Sequence, residues 1–145
     1  MNIIGTEIGL QHNALEIYVA GCKAPHCPGC HNPESWEFNQ GTPYRVLLPR
    51  LVQKAQCALI DNIWILGGEP LDQDLLDLRH LIDRLDSSQK PIWLFTRYQL
   101  EDVPDSIRFW LSYVKTGQYD SDAGPGDVEH GVTLATANQH IFKLK

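Results

Sequence analysis

Ile63-Trp64-Ile65-Leu66 is a short, continuously apolar run that ends abruptly on Gly67-Gly68-Glu69-Pro70. A strand without polar alternation offers no face to water, so it belongs inside a parallel sheet covered on both sides. Two further segments have strand character: Leu15–Ala20, which alternates and is rich in β formers, and Pro91–Thr96. Ser112–Thr116 supplies a possible fourth. Between the second and third, Leu75, Leu78, Ile82 and Leu85 recur at helical spacing, with Asp72 as the expected N-cap. A helix over about 49–57, with Pro49 in its first turn, joins the first strand to the second. A shorter helix over about 104–111 joins the third to the fourth. Strands separated by helices form crossover units. A closed eight-stranded barrel needs about 250 residues, and this chain has 145. The expected class is α/β: one domain over 1–145, a partial, open (β/α) barrel with a mostly parallel sheet. Asp120–Gly131 is polar and glycine-rich, which predicts a mobile loop; Val132–Lys145 shows no assignable pattern.

In such sheets, chemistry gathers at the carboxyl ends of the strands. Four turns should therefore share one rim. These are the long loop Gly21–Pro43 after the first strand, Gly67-Gly68-Glu69-Pro70, Thr96-Arg97-Tyr98, and Lys115-Thr116-Gly117. A loop as long as the first is usually functional.

That loop carries Cys22, Cys27 and Cys30; the fourth cysteine, Cys57, is distant. No apolar stretch approaches the roughly 20 residues of a membrane span, and the N-terminus lacks the basic start of a signal peptide. The expected compartment is cytoplasmic, where clustered cysteines act as metal ligands rather than disulfides. A net charge of −6 with no run of Lys or Arg argues against nucleic acid as a partner. Three thiolates on a cubane iron–sulfur cluster would leave one iron open to an external ligand. The alternatives are zinc completed by His26 or His31, and an electron-transfer cluster with a fourth cysteine. Cys57 lies at a helix end away from the rim and reads as a small buried hydrophobe.

Gly21-Cys22 through Cys27-Pro28-Gly29-Cys30-His31-Asn32-Pro33-Glu34-Ser35-Trp36, followed by Gly67-Gly68-Glu69-Pro70, resembles the radical S-adenosylmethionine activases of glycyl-radical enzymes. Among these it is most similar to the activators of anaerobic ribonucleoside-triphosphate reductase. The similarity extends to Thr96-Arg97-Tyr98, Gly117-Gln118-Tyr119 and Asn138-Gln139. Two features depart from the common pattern. Four residues, Lys23 to His26, separate the first two cysteines where three are usual, and Gly29 stands where an aromatic often precedes the third.

The resemblance implies a radical S-adenosylmethionine fold and one [4Fe-4S] cluster per chain, on Cys22, Cys27 and Cys30. S-adenosylmethionine would chelate the open iron. Gly67 and Gly68 would let the backbone approach its methionyl group, Glu69 would accept from its ammonium, and Arg97 would pair its carboxylate. Gly29 and His31 would contact the nucleoside, with Tyr98 and Lys115 as secondary residues of the pocket. His26 would pack the loop or face a partner, and Trp36 would cover the cluster. An electron from a flavodoxin-like donor would cleave the cofactor, and the resulting radical would take a hydrogen from a glycine. That glycine would lie on the large glycyl-radical subunit of anaerobic ribonucleotide reductase. The competing functions are activation of another glycyl-radical enzyme such as pyruvate formate-lyase, small-molecule radical chemistry of the 7-deazaguanine type, and a non-catalytic metal module.

Overall fold

The computed structural model describes residues 1–145. Four strands, β2 (Ala14–Ala20), β4 (Asn62–Gly67), β5 (Ile92–Phe95) and β6 (Tyr113–Thr116), lie side by side and parallel. They are the four strands expected from the apolar runs. The sheet continues on both sides with antiparallel strands that local pattern did not reveal. β1 (Asn2–Gly9) pairs with β2, β3 (Thr42–Pro43) with β1, and β9 (His140–Lys143) with β6. The order β3-β1-β2-β4-β5-β6-β9 does not close on itself. The sheet is partial and open, as expected.

Period-two alternation divides the parallel strands between two cores. Leu15, Ile17, Val19, Ile63, Ile65, Ile92, Leu94 and Val114 face one side. There they meet Leu51 and Ala55 of α1 (Tyr44–Ala55) and Leu78, Leu81, Ile82 and Leu85 of α2 (Leu75–Asp86). Ile107 of α3 (Asp105–Arg108) joins the same core. The other face carries Trp64, Trp93, Phe95 and Tyr113; the Trp93 and Tyr113 rings stack at 4.0 Å. Ile141 of β9 lies on the same face, which is covered by Val132 and Leu134. Val132 belongs to a small hairpin of β7 (Val128–Glu129) and β8 (Val132–Thr133). The segment expected as a mobile loop thus contains half of a hairpin that roofs the sheet.

Three local expectations are corrected. α1 begins at Tyr44, so Pro49 lies inside the helix rather than in its first turn. The N-cap of α2 is Asp74, whose carboxylate accepts from the Leu76 and Asp77 N–H groups at 2.9 and 3.0 Å. Asp72 is instead buried in the preceding 3₁₀ turn, Pro70–Asp72. Cys57 is exposed, because α1 ends at Ala55 and leaves it in a turn off the apolar stripe. Its position at the end remote from the cysteine loop is as expected: its carbonyl accepts from Lys90 Nζ, just before β5. No helix is long and apolar enough to cross a membrane.

Candidate metal centre

The cysteine loop leaves β2 at Gly21 and is tied down at its root. The Gly21 and Cys22 N–H groups donate to the Ser35 and Trp36 carbonyls at 2.7 and 3.0 Å, closing the loop on itself. The Gly21 carbonyl accepts from Glu69 N and Gln73 Nε2 at 2.8 and 2.9 Å, binding the loop to the turn after β4. Loop and turn thus share backbone partners. All four expected rim segments contribute to one cavity of about 290 Å³. Cys22, Cys27 and Cys30 line it together with His31, Gly67, Gly68, Glu69, Arg97 and Lys115. Gly29 sits just outside the lining, at φ +72°, where an added Cβ would lie 3.4 Å from the Tyr119 ring. His31 meets that ring at 4.5 Å between centroids.

An all-thiolate donor set on one loop suits iron–sulfur chemistry or zinc. A zinc ion with three thiolates would hold the sulfurs about 3.8 Å apart at tetrahedral geometry, and no three His, Cys, Asp or Glu side chains converge as a single-ion cage. The histidines have other partners. His26 stacks on Trp36 at 3.9 Å, with 3° between planes, and its Nε2 lies 2.9 Å from the Cys22 carbonyl. His26 therefore packs the loop, the first of the two roles expected of it. Trp36 also lines the cavity, and its Nε1–H is buried without a partner. Burial pushes the Cys22 thiol up to about 11, against the opposing pull of Arg97. Metal uptake there must displace a proton.

The glycine pair has a reason within the fold. Gly67 has φ +111°, and a Cβ there would lie 2.7 Å from the backbone N and O of Val19. At Gly68 it would lie 2.3 Å from the Gly21 carbonyl. The close approach these glycines permit is therefore between β4, β2 and the cysteine loop, a reason beyond the ligand contact expected of them.

Glu69 is 2% exposed and almost fully used. Its Oε1 accepts from Leu71 N–H and Thr96 Oγ1–H at 3.0 and 2.7 Å, and its Oε2 from Arg97 N–H at 2.8 Å. Burial raises its pKa despite these donors. One lone pair of Oε2 is left for a ligand. Arg97 differs more from expectation, since its guanidinium is occupied. It donates to the Pro25 and Lys23 carbonyls at 2.6 and 2.9 Å and pairs with Asp72 at 3.2 Å. Tyr98 lies outside the cavity lining and donates to Asp72 at 2.6 Å.

Lys115, secondary in the sequence, is the other cationic amine or guanidine side chain lining the cavity. Its Nζ makes one hydrogen bond, to the Gly117 carbonyl at 3.0 Å, and burial pulls its pKa down to about 8. Asp72 and Thr96 carried no local signal of their roles. Tyr119 and Gln139 were visible only within the similar segments.

The family described as 4Fe-4S single cluster domain matches residues 9–118. Anaerobic ribonucleoside-triphosphate reductase-activating protein of Escherichia coli is 30% identical over 93 residues, 60% of this chain and 60% of that protein. The matched part therefore spans about three fifths of that relative's length. The protein of the same name from Haemophilus influenzae is 28% identical over 140 residues, 89% of this chain and 86% of its own length. A shorter likeness, 42% over 66 residues, covers 46% of this chain and 30% of 7-carboxy-7-deazaguanine synthase from Synechocystis. The matched family spans the cysteine loop, the glycine turn and the four parallel strands that carry them, and the chain belongs to the 4Fe-4S single cluster domain family.

Proposed function

We propose that the chain is a radical S-adenosylmethionine activase that generates a glycyl radical on the large subunit of anaerobic ribonucleotide reductase. The observation that carries this reading is the meeting of three thiols, the Gly67-Gly68-Glu69 turn and Lys115 on one cavity at the carboxyl rim of an open parallel sheet. Cys22, Cys27 and Cys30 would hold a [4Fe-4S] cluster. That cluster, reduced by a flavodoxin-like donor, would supply the electron that breaks the sulfur–C5′ bond of S-adenosylmethionine and frees the radical that abstracts hydrogen from glycine.

The residues of the chain bind, orient and exclude water. The free lone pair of Glu69 Oε2 takes the methionyl ammonium. Lys115 takes the methionyl carboxylate, because the Arg97 guanidinium is spent on loop carbonyls and Asp72. His31, Gly29 and Tyr119 border the nucleoside. Leu66, Phe95, Val132 and Leu134 give the cavity an apolar wall that limits water. The sheet stays open, which suits a loop of a macromolecular partner more than an enclosed small substrate.

Anaerobic protein loaded with iron and sulfide, given a reductant and S-adenosylmethionine, is expected to release 5′-deoxyadenosine. Lys115→Met should weaken S-adenosylmethionine binding at least tenfold by calorimetry, while binding without cleavage in the wild type would refute the reading. The same substitution should stabilise the metal-free fold. Lowering the Lys115 pKa from 10.5 to about 8 costs roughly 3 kcal/mol at about 1.4 kcal/mol per unit, reduced to about 1–2 by screening because the residue is only partly buried. The unfolded chain holds the extra proton between those two values, so the penalty is complete below about pH 8 and fades as pH rises toward 10.5. Lys115→Met should therefore outlast wild type in urea at pH 7 and lose that advantage near pH 10.

A further inference from the structure

Lys23, Ala24, Pro25 and His26 form the unusually long spacer between the first two loop cysteines. A loop of this kind must find partners for its backbone groups or leave them to water. Here three of them, the Lys23 N–H and the Lys23 and Pro25 carbonyls, are met by side chains of two other rim segments. Arg97, just after β5, donates through its guanidinium to the Pro25 and Lys23 carbonyls. Asp72, in the turn after β4, accepts the Lys23 N–H at 2.7 Å and the Tyr98 hydroxyl at 2.6 Å. Arg97 and Asp72 pair at 3.2 Å, with side chains only 16% and 3% exposed. Ion pairs this buried gain little net stability, because desolvation offsets the attraction. What this one supplies is geometry, since a planar fork can hold two carbonyls and a carboxylate in fixed directions where an ammonium cannot.

We propose that Arg97 and Asp72, steadied by Tyr98, form a clamp that holds the Cys22–Cys27 spacer in its binding shape before any metal arrives. They are positioning residues, and the clamp accommodates the additional spacer residue. The proposal rests on the cysteine loop being the metal-binding loop, and it is independent of S-adenosylmethionine chemistry.

The test uses the full chain, first metal-free. In wild type, the Lys23 amide should exchange with deuterium slowly for a loop position. Arg97→Lys keeps the charge and removes the fork. It should speed exchange at Lys23 at least tenfold, leave the amides of β4 and β5 unchanged, and shift melting by only a few degrees. After loading with iron and sulfide, the same variant should lose iron to a chelator at least fivefold faster than wild type. Tyr98→Phe should show the same effects at smaller size, and Asp72→Ala at larger size. Wild-type Lys23 exchange and chelator resistance in Arg97→Lys would overturn the clamp. If wild type takes up no iron, the cluster assignment fails, whereas the exchange comparison still decides whether the clamp holds the loop.

Discussion

Cys22→Ala, Cys27→Ala and Cys30→Ala are each expected to abolish S-adenosylmethionine cleavage and to cut iron and sulfide content several-fold. Cys57→Ala should match wild type in both. The asymmetry follows from placement. Three thiols open on one cavity at the carboxyl rim, whereas Cys57 is exposed in the turn after α1, beside the start of β5. Removing one of three thiolates leaves a cluster with two protein ligands, and removing a thiol at the far end leaves three. Iron and sulfide assay with ultraviolet–visible absorption reads the first effect, and chromatography of 5′-deoxyadenosine the second. Loss of the cluster in Cys57→Ala would mean that the three-ligand assignment is wrong.

Gly67→Ala is the other substitution with a large expected effect, and the effect is on the fold before it is on any ligand. At φ +111° an L-residue is strained, and the added Cβ would sit 2.7 Å from two backbone atoms of Val19. The neighbouring atoms belong to a central strand rather than a flexible side chain, so β2 and β4 must separate. Strain of this kind with overpacking costs about 3 kcal/mol or more. For a chain of this size that amounts to roughly 10 °C in melting temperature. Metal-free protein suffices for the measurement. An unchanged melting temperature, with S-adenosylmethionine binding lost, would return the glycine to a purely ligand-facing role.

The residues that sequence reading placed well are those whose signal is local. The apolar runs of β4 and β5 have no water-facing side, and the spacing of Leu78, Ile82 and Leu85 allows only a helix against the sheet. The cysteines, the glycine turn and Lys115 fall on one rim because the strands run parallel and each ends there. β1 was not visible. Its pairing has a register shift between Ile3 and Gly5, and Glu7 lies directly opposite Glu16, so neither alternation nor charge marks it as a strand. β9 is a four-residue edge whose partner, β6, is distant in sequence. Asp72 and Asp74 compete for one helix start, and only the packed chain shows that Asp72 is turned toward Lys23, Tyr98 and Arg97. Arg97 has the local signature of a free rim cation because the carbonyls that occupy it lie more than 70 residues earlier in the chain.

An open rim that serves a protein partner should reveal itself in the reaction with that partner. The chain, loaded with iron and sulfide under anaerobic conditions, is mixed with the large subunit of anaerobic ribonucleotide reductase, S-adenosylmethionine and a reductant. Electron paramagnetic resonance should then show a glycyl-radical doublet on the large subunit. The doublet should be absent when Cys22, Cys27 or Cys30 is replaced by alanine. Cleavage of S-adenosylmethionine that proceeds only with a free purine or pterin precursor, with no radical on any protein, would contradict the account.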